Sequence, residues 1–328
     1  MGQFKFEAYL GARFSENLTD KEWKNVYEEI ENLSTYYQFT FDGKIIVDKV
    51  KFSFAKNAKQ ITKVKKRFSI LTTDTILIIQ FNAEEKNFTN NKLSIDYFIE
   101  KRLRDLIIAI SIAKKGGIEI GGGAKVFIND KLVATFYPFI HSIGQSIERA
   151  KKLKWPKIKM IDLKKTILWV ENYQNQTDSV SDDKIGRALN AFSYMFNDRG
   201  GEGDDGTELF WIMVGLESLY AKGNKDIVTQ VNSKSQFFLG QRKEFKKSFQ
   251  DLYDYRSRLV HGELNFSHKF LLVDNTDKIF NHWMKLYDNQ NLAVAVLVAS
   301  FQKLILSNRT SLDFEMKYKI TNLKNAKI

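Results

Sequence analysis

Residues 209–221 read LFWIMVGLESLYA, and Glu217 is the only charged residue among them. A helix that is apolar on nearly every side cannot rest on a surface with one face in water. It belongs at the centre of a set of other helices. The flanking segments agree: 162–173, 183–197, 207–221, 235–249, 252–261 and 276–306 all carry helical spacing of apolar residues, the last open to a break near Asp288. Residues 198–206 (DRGGEGDDG) are too rich in turn formers for regular structure and form a connection. Helices joined by short loops, most with one apolar face, make an all-α bundle.

Upstream the pattern changes. A first strand is expected around Phe4–Leu10. Thr19-Asp20-Lys21-Glu22 then has the spacing of a capping box, opening a helix to about Asn32 with Trp23, Val26, Tyr27 and Ile30 inward. Asp42-Gly43 between 36–41 and 44–54 is a two-residue hairpin signal, because both positions tolerate positive φ. Lys63, Lys65, Lys66 and Arg67 crowd one segment before an Ile- and Leu-rich strand over 69–80. They read as basic edges or loops of an antiparallel sheet, solvated strand faces and lysine edge protection ahead of a dedicated RNA track. A long helix over 94–115 buries Phe98, Leu103, Leu106, Ile107, Ile110 and Ile112 and stops at Gly116-Gly117. Gly121-Gly122-Gly123 lacks the Lys-Ser or Lys-Thr and the helix start of a phosphate-binding loop, and is read as a turn. A further hairpin over 125–137 turns at Asn129-Asp130, and a helix over 139–155 ends near Pro156. The fold class expected is therefore an α+β N-terminal domain with an antiparallel sheet, residues 1–160, followed by an all-α bundle, residues 161–328. The basic stretch 149–165 is read as a solvated linker between them, which would guide RNA electrostatically if it faced the active site.

Composition narrows the function classes. The 328 residues carry a net charge of +12, which favours polyanionic partners, nucleic acid before anionic membrane. Cysteine is absent, so disulfides, thiolate nucleophiles and Cys-ligated metals are excluded. His141, His268 and His282 have no metal-ligand spacing with nearby carboxylates, so neither a metal site nor a cofactor is expected. The N-terminus MGQFKFEAYLGARF has no secretory core, and the apolar run 292–300 is shorter than the roughly 20 residues that span a bilayer. A cytoplasmic location with no membrane contact follows as the expectation.

The chemistry concentrates in residues 251–263, DLYDYRSRLVHGE. Arg256 and His261 lie five positions apart, about 140° around an ideal helix, so mid-helix they would not share a face. At a last turn closed by Gly262, His261 can swing round toward Arg256, and the negative end of the helix dipole attracts a protonated imidazole. Glu217, a lone carboxylate on the central helix, needs a cationic or hydrogen-bonding partner, and the Arg256–His261 helix offers one. As a scaffolding pair it would orient the residue that acts.

Residues 183–270 resemble the ApeA-like branch of the HEPN superfamily. The likeness rests on FWIMVGLESLYA with its Leu216-Glu217, a spacer of about thirty residues, and LYDYRSRLVHGE, whose Arg256 and His261 fit the superfamily's R-x4–6-H motif. The position after the motif arginine, often Asn there, is Ser257 here, which can still hydrogen-bond phosphate. The resemblance implies a four- or five-helix bundle that dimerises and sets two motifs across one cleft. It also implies a metal-independent endoribonuclease of the kind found in antiviral defence, toxin–antitoxin and abortive-infection systems. On that basis His261 is the general base or acid and Arg256 the phosphate clamp. Tyr255, Ser257 and Arg258 support them, Arg258 as a second phosphate or partner contact, and the products end in a 2′,3′-cyclic phosphate. The expected partners are an RNA substrate, a second copy of the chain, and a trigger or antitoxin held by residues 1–160. The rival from another class is a non-catalytic HEPN bundle kept for dimerisation and for RNA or protein binding. It has no need of both Arg256 and His261.

Overall fold

The computed structural model describes residues 3–14, 18–41, 44–55, 57–68, 75–84, 92–136, 143–174, 181, 183–195, 207–223, 225–242, 245–263 and 277–315. Among them the first half is an antiparallel six-stranded sheet with helices, and the second half is helical throughout. The strands are β1 (Gln3–Phe14), β2 (Ser34–Phe41), β3 (Lys44–Ala55), β4 (Thr75–Glu84), β5 (Ile118–Ile128) and β6 (Lys131–Phe136). They lie in the order β2-β3-β4-β1-β5-β6. β2 and β3 close on Phe41↔Lys44, the register that a two-residue connection imposes; the Asp42-Gly43 turn itself lies outside the described residues. Asn129 and Asp130 take φ of 45° and 68°, so the β5–β6 hairpin turns where its sequence says it should.

The glycine run 121–123 is not a turn. It lies inside β5, where the register against β1 jumps from Tyr9↔Lys125 to Gly11↔Gly121. Residues without Cβ accommodate the extra length of that bulge.

Helix α1 (Asp20–Glu31) starts with the full capping box: Glu22 N–H donates to Thr19 Oγ1, and the Glu22 carboxylate accepts from Thr19 N–H. Lys115 reaches the same carboxylate at 2.6 Å, and the two together hold it down to about 2. The Lys63–Arg67 segment is helical rather than sheet edge or loop: α2 (Ala58–Phe68) lies on one face of the sheet. Its anchors are Ile61 and Val64, packed against Tyr9, Ala55, Ile76 and Phe127. Two apolar anchors in eleven residues are too faint a period to be seen among five cations.

Helix α3 (Lys92–Ala113) covers the other sheet face. From residue 102 onward it is buried well beyond the expected stripe, because the helical half packs on its far side. Arg102 and Asp105, both essentially inaccessible, meet at 3.3 Å, and burial pushes the Asp105 carboxyl up.

Residue 160 is not a loose passage. Gln302 donates to Ile112 O and Lys159 O and accepts from Lys159 N–H. Lys114 reaches Glu29 and Ile161 O, and Glu29 accepts from Leu163 N–H. The backbone here is clamped, while Lys157, Lys159, Lys164 and Lys165 stay exposed.

The remaining helices are α4 (Gly144–Leu153), α5 (Leu163–Gln174), α6 (Lys184–Tyr194), α7 (Thr207–Tyr220), α8 (Ile227–Leu239), α9 (Phe245–Val260) and α10 (Asp277–Leu306). The single helix expected over 235–249 is two helices with a break between. Gly240 at φ 101° ends α8, and the link is tied sideways: Trp155 Nε1 donates to Gly240 O at 2.9 Å and Arg242 donates to Leu153 O. α10 is unbroken at Asp288, which pairs with Arg149 at 3.2 Å, while Ser146 donates to Asn291 at 2.8 Å.

α7 sits where its composition demands. Leu209, Ile212, Met213, Leu216, Leu219 and Tyr220 are buried. Gly215 lets α10 approach so closely that an added Cβ would meet Leu297 at 3.0 Å. Tyr220 donates to Ser300 Oγ at 2.5 Å, since the Ser300 hydroxyl hydrogen is already given to Val296 O. Leu286–Leu306 of α10 is long and apolar enough to cross a bilayer, but 89% of that window is buried within the fold, so its apolar surface is spent on packing. One continuous core runs from the α3 face of the sheet through α5, α7 and α10.

Candidate active site

The site is built on α7 and α9, which pack against each other. α9 presents Leu252 and Phe249 to the core and places Tyr253 and Arg256 three residues apart, on one face. Arg256 lies between two rings: its guanidinium carbon is 6.0 Å from the centroid of Phe210 and 5.9 Å from that of Tyr253. Phe210 is seven residues before Glu217 on α7, so the two share a face. Glu217, Phe210, Tyr253 and Arg256 therefore form one half-buried cluster across the two helices.

The expected Glu217–Arg256 relationship is electrostatic rather than bonded. Burial pushes the Glu217 carboxyl up, and the Arg256 charge only partly opposes it. The same burial, aided by the Glu217 charge, raises the Tyr253 hydroxyl, with Arg256 pulling it back. Glu217 Oε1 and Arg256 Nε are both enclosed with no hydrogen-bond partner. A buried donor left unpaired costs about 1–3 kcal/mol, and Arg102 Nε and Arg149 Nε stand in the same condition elsewhere in the fold.

The sign of the Glu217 shift makes a prediction. A carboxyl raised in the folded state stabilises the fold below its unfolded value of about 4.5, and that contribution is lost as pH rises through the folded value. Glu217→Gln is therefore expected to raise the thermal midpoint relative to wild type at pH 7–8. The gap should close toward pH 4. A variant less stable than wild type across that whole range would mean that the carboxylate is needed for packing or pairing in its charged form.

The motif's other members stand further out. α9 stops as expected at Gly262, which takes φ 72°; His261 N–H donates to Ser257 O at 3.0 Å and Glu263 N–H to Arg258 O at 2.8 Å, closing the helix in a Schellman arrangement. His261 and Arg258 are exposed, Ser257 is half-buried, and Tyr255 packs against the main core. No hydrogen bond or ion pair among the described residues joins Arg256 to His261. Within one chain Arg256 is near enough to Glu217 to act on its charge without a bond between them, and His261 stays on the surface.

Tyr253 and Phe210 were not singled out from the sequence. The signal was present as spacing, Tyr253 three residues before the motif arginine and Phe210 on the Glu217 face of α7. Aromatic residues at such spacing are ordinary core, however, and nothing marked them as flanking a cation. Among the described residues no group of three His, Cys, Asp or Glu converges as metal ligands. His141 and His268 lie outside the described residues. No known protein family, curated protein or solved structure matches the chain.

Proposed function

We propose that the helical half is a HEPN-type endoribonuclease domain that cleaves RNA without a metal ion. The observation that carries this reading is the half-buried guanidinium of Arg256, beside the Phe210 and Tyr253 rings, on the helix whose last turn presents an exposed His261. RNA brings its own nucleophile. The enzyme has only to take the 2′-hydroxyl proton, protonate the leaving 5′-oxygen, and stabilise the charge that builds on phosphorus. Arg256 supplies the donors for a non-bridging phosphate oxygen and His261 moves the protons. The fragments then end in a 2′,3′-cyclic phosphate and a 5′-hydroxyl. Glu217 positions Arg256 and does not touch the substrate.

Because Arg256 and His261 do not meet within one chain, the working cleft is composite: two copies pair through the helical half and the exposed His261 of each completes the site. The protein acts in the cytoplasm as a defence or toxin effector, restrained or triggered through residues 1–160. Purified protein is expected to cut single-stranded RNA in the presence of EDTA and to leave DNA of the same sequence whole. Light scattering should show about twice the 38.2 kDa chain mass. Loss of cleavage on chelation, or fragments with free 3′-hydroxyls, would sink the mechanism. Protein that binds RNA and never cuts it, even with its trigger supplied, would instead be a binding and dimerisation module.

A further inference from the structure

Residues 49–73 contain eight basic side chains, Lys49, Lys51, Lys56, Lys59, Lys63, Lys65, Lys66 and Arg67, and no acidic one. At the chain's average composition a stretch of 25 residues would hold about four basic and three acidic residues. Two thirds of the protein's net +12 is therefore written into one segment. Three of these eight side chains, Lys51, Lys59 and Lys63, are among the described ones. β3 carries Lys51 on the same sheet face as Ala55, two pleat periods away, and α2 lies on that face. Lys51, Lys59 and Lys63 are all exposed. The other basic stretch, 149–165, is partly neutralised: Arg149 pairs with Asp288 and Lys151 with Glu148.

The carboxylate nearest in the sheet, Glu7, stands in one cross-strand row with Gln80 and Lys51 but is already held by Lys5 and Gln80. Like charges left in excess repel one another and weaken the fold, so their concentration favours a polyanion that relieves it. The choice between nucleic acid and an anionic membrane follows from the other face of α2. A helix that lies in a bilayer surface inserts an apolar face. Here Ile61 and Val64 are taken up by the sheet, and the exposed described side chains of α2 are Ala58, Lys59, Gln60, Thr62 and Lys63, none of which can insert. A phosphate backbone needs only the cations.

We propose that the outward face of α2, together with Lys51, is a docking surface for the RNA backbone, remote from the residues that cut. It rests on the reading of the protein as an RNA-cleaving enzyme and adds where the substrate is captured. The small cluster under α2 is separate from the main core, so this surface is on the side of the sheet turned away from α7 and α9. Its interactions are made equally with bound substrate and with the transition state. They change affinity and leave the chemical step alone.

The test uses the full chain carrying His261→Ala, so that binding is read without cleavage, and a fluorescently labelled single-stranded RNA followed by anisotropy. Adding Lys51→Glu, Lys59→Glu and Lys63→Glu is expected to weaken binding at least tenfold. The slope of log affinity against log salt should flatten by about 2, at about 0.7 for each phosphate no longer neutralised. An unchanged melting temperature shows that the fold survives, and a Lys59→Gln, Lys63→Gln protein replaces the triple variant if it does not. With His261 intact, the same substitutions raise KM by the same factor at constant kcat. Affinity within twofold of the parent overturns the proposal, as does a parent that binds no RNA. Binding of the parent to phosphatidylserine vesicles that the lysine changes abolish, with RNA binding unaffected, overturns it in favour of a membrane. RNA bound through these lysines by a protein that does not cut RNA would leave the docking surface standing and bring down the ribonuclease reading alone.

Discussion

His261→Ala is expected to lower RNA cleavage by about two to four orders of magnitude, the usual contribution of a positioned acid–base group, with fold and RNA affinity unchanged. The geometry makes this a clean experiment. His261 is exposed at the end of α9, so its removal leaves no cavity. The turn that ends the helix is held by backbone bonds from residues 261 and 263 and by Gly262 at φ 72°, none of which needs the imidazole. Arg256→Lys is the matching change on the phosphate side. It keeps one positive charge but loses the planar fork and the fit between Phe210 and Tyr253, so it should fall well short of wild type even though the charge is conserved. Its loss should appear in kcat/KM with part of it in binding, whereas the His261 loss should lie in kcat. Undiminished cutting by His261→Ala would remove the histidine from the mechanism. Cutting by Arg256→Lys at the wild-type rate would mean that the enclosed Nε serves only the fold.

Much of this arrangement was legible in residues 209–221 and 251–263. A segment apolar on every side can only be central, and α7 is. A glycine placed just past the last periodic residue of a helix is suited to end it, and Gly262 does. Two-residue turns such as Asn129-Asp130 are local, so they too were readable. What escaped was tertiary. α8 and the break at Gly240 depend on Trp155 and Arg242 reaching across to neighbouring segments, and no window of sequence contains both partners. α2 is held by two residues against a sheet formed by distant strands, and its cations masked the helical period. The burial of Arg102 and Asp105 could not be read from the apolar stripe of α3, because the second layer on that helix comes from residues beyond 160. At the site itself, a cationic neighbour for Glu217 could be anticipated from the cost of a lone buried carboxylate, but the bond expected between them is not formed. The aromatic flanks could not be anticipated, since Phe210 and Tyr253 differ from core residues only in what they face.

Phe301→Ala should be the most damaging single change to stability, costing about 3–5 kcal/mol. The side chain is fully buried on α10, with its ring 5.8 Å from Trp169 of α5 and 5.6 Å from Phe192 of α6, so it is the point where three helices are keyed together. Alanine removes the ring from both partners at once, and large neighbours on separate helices cannot collapse into the gap without moving backbone. For a chain of this length the melting temperature should fall by about 6 °C. Leu306→Ala, on the same helix but half exposed, should cost less than about 0.5 kcal/mol. The shape of the transition carries as much information as its midpoint. The core is continuous from the sheet through α3 and α5 to α10, and residues 156–163 are clamped by Gln302, Lys114 and Glu29. A defect at Phe301 should therefore lower one cooperative transition seen alike by the helical signal and by tryptophan fluorescence. If the helical half instead melted first and left the sheet standing, the hydrogen bonds across residue 160 would be shown to join two independently stable bodies, and a change in residues 1–160 would then have no bearing on the candidate site at Arg256.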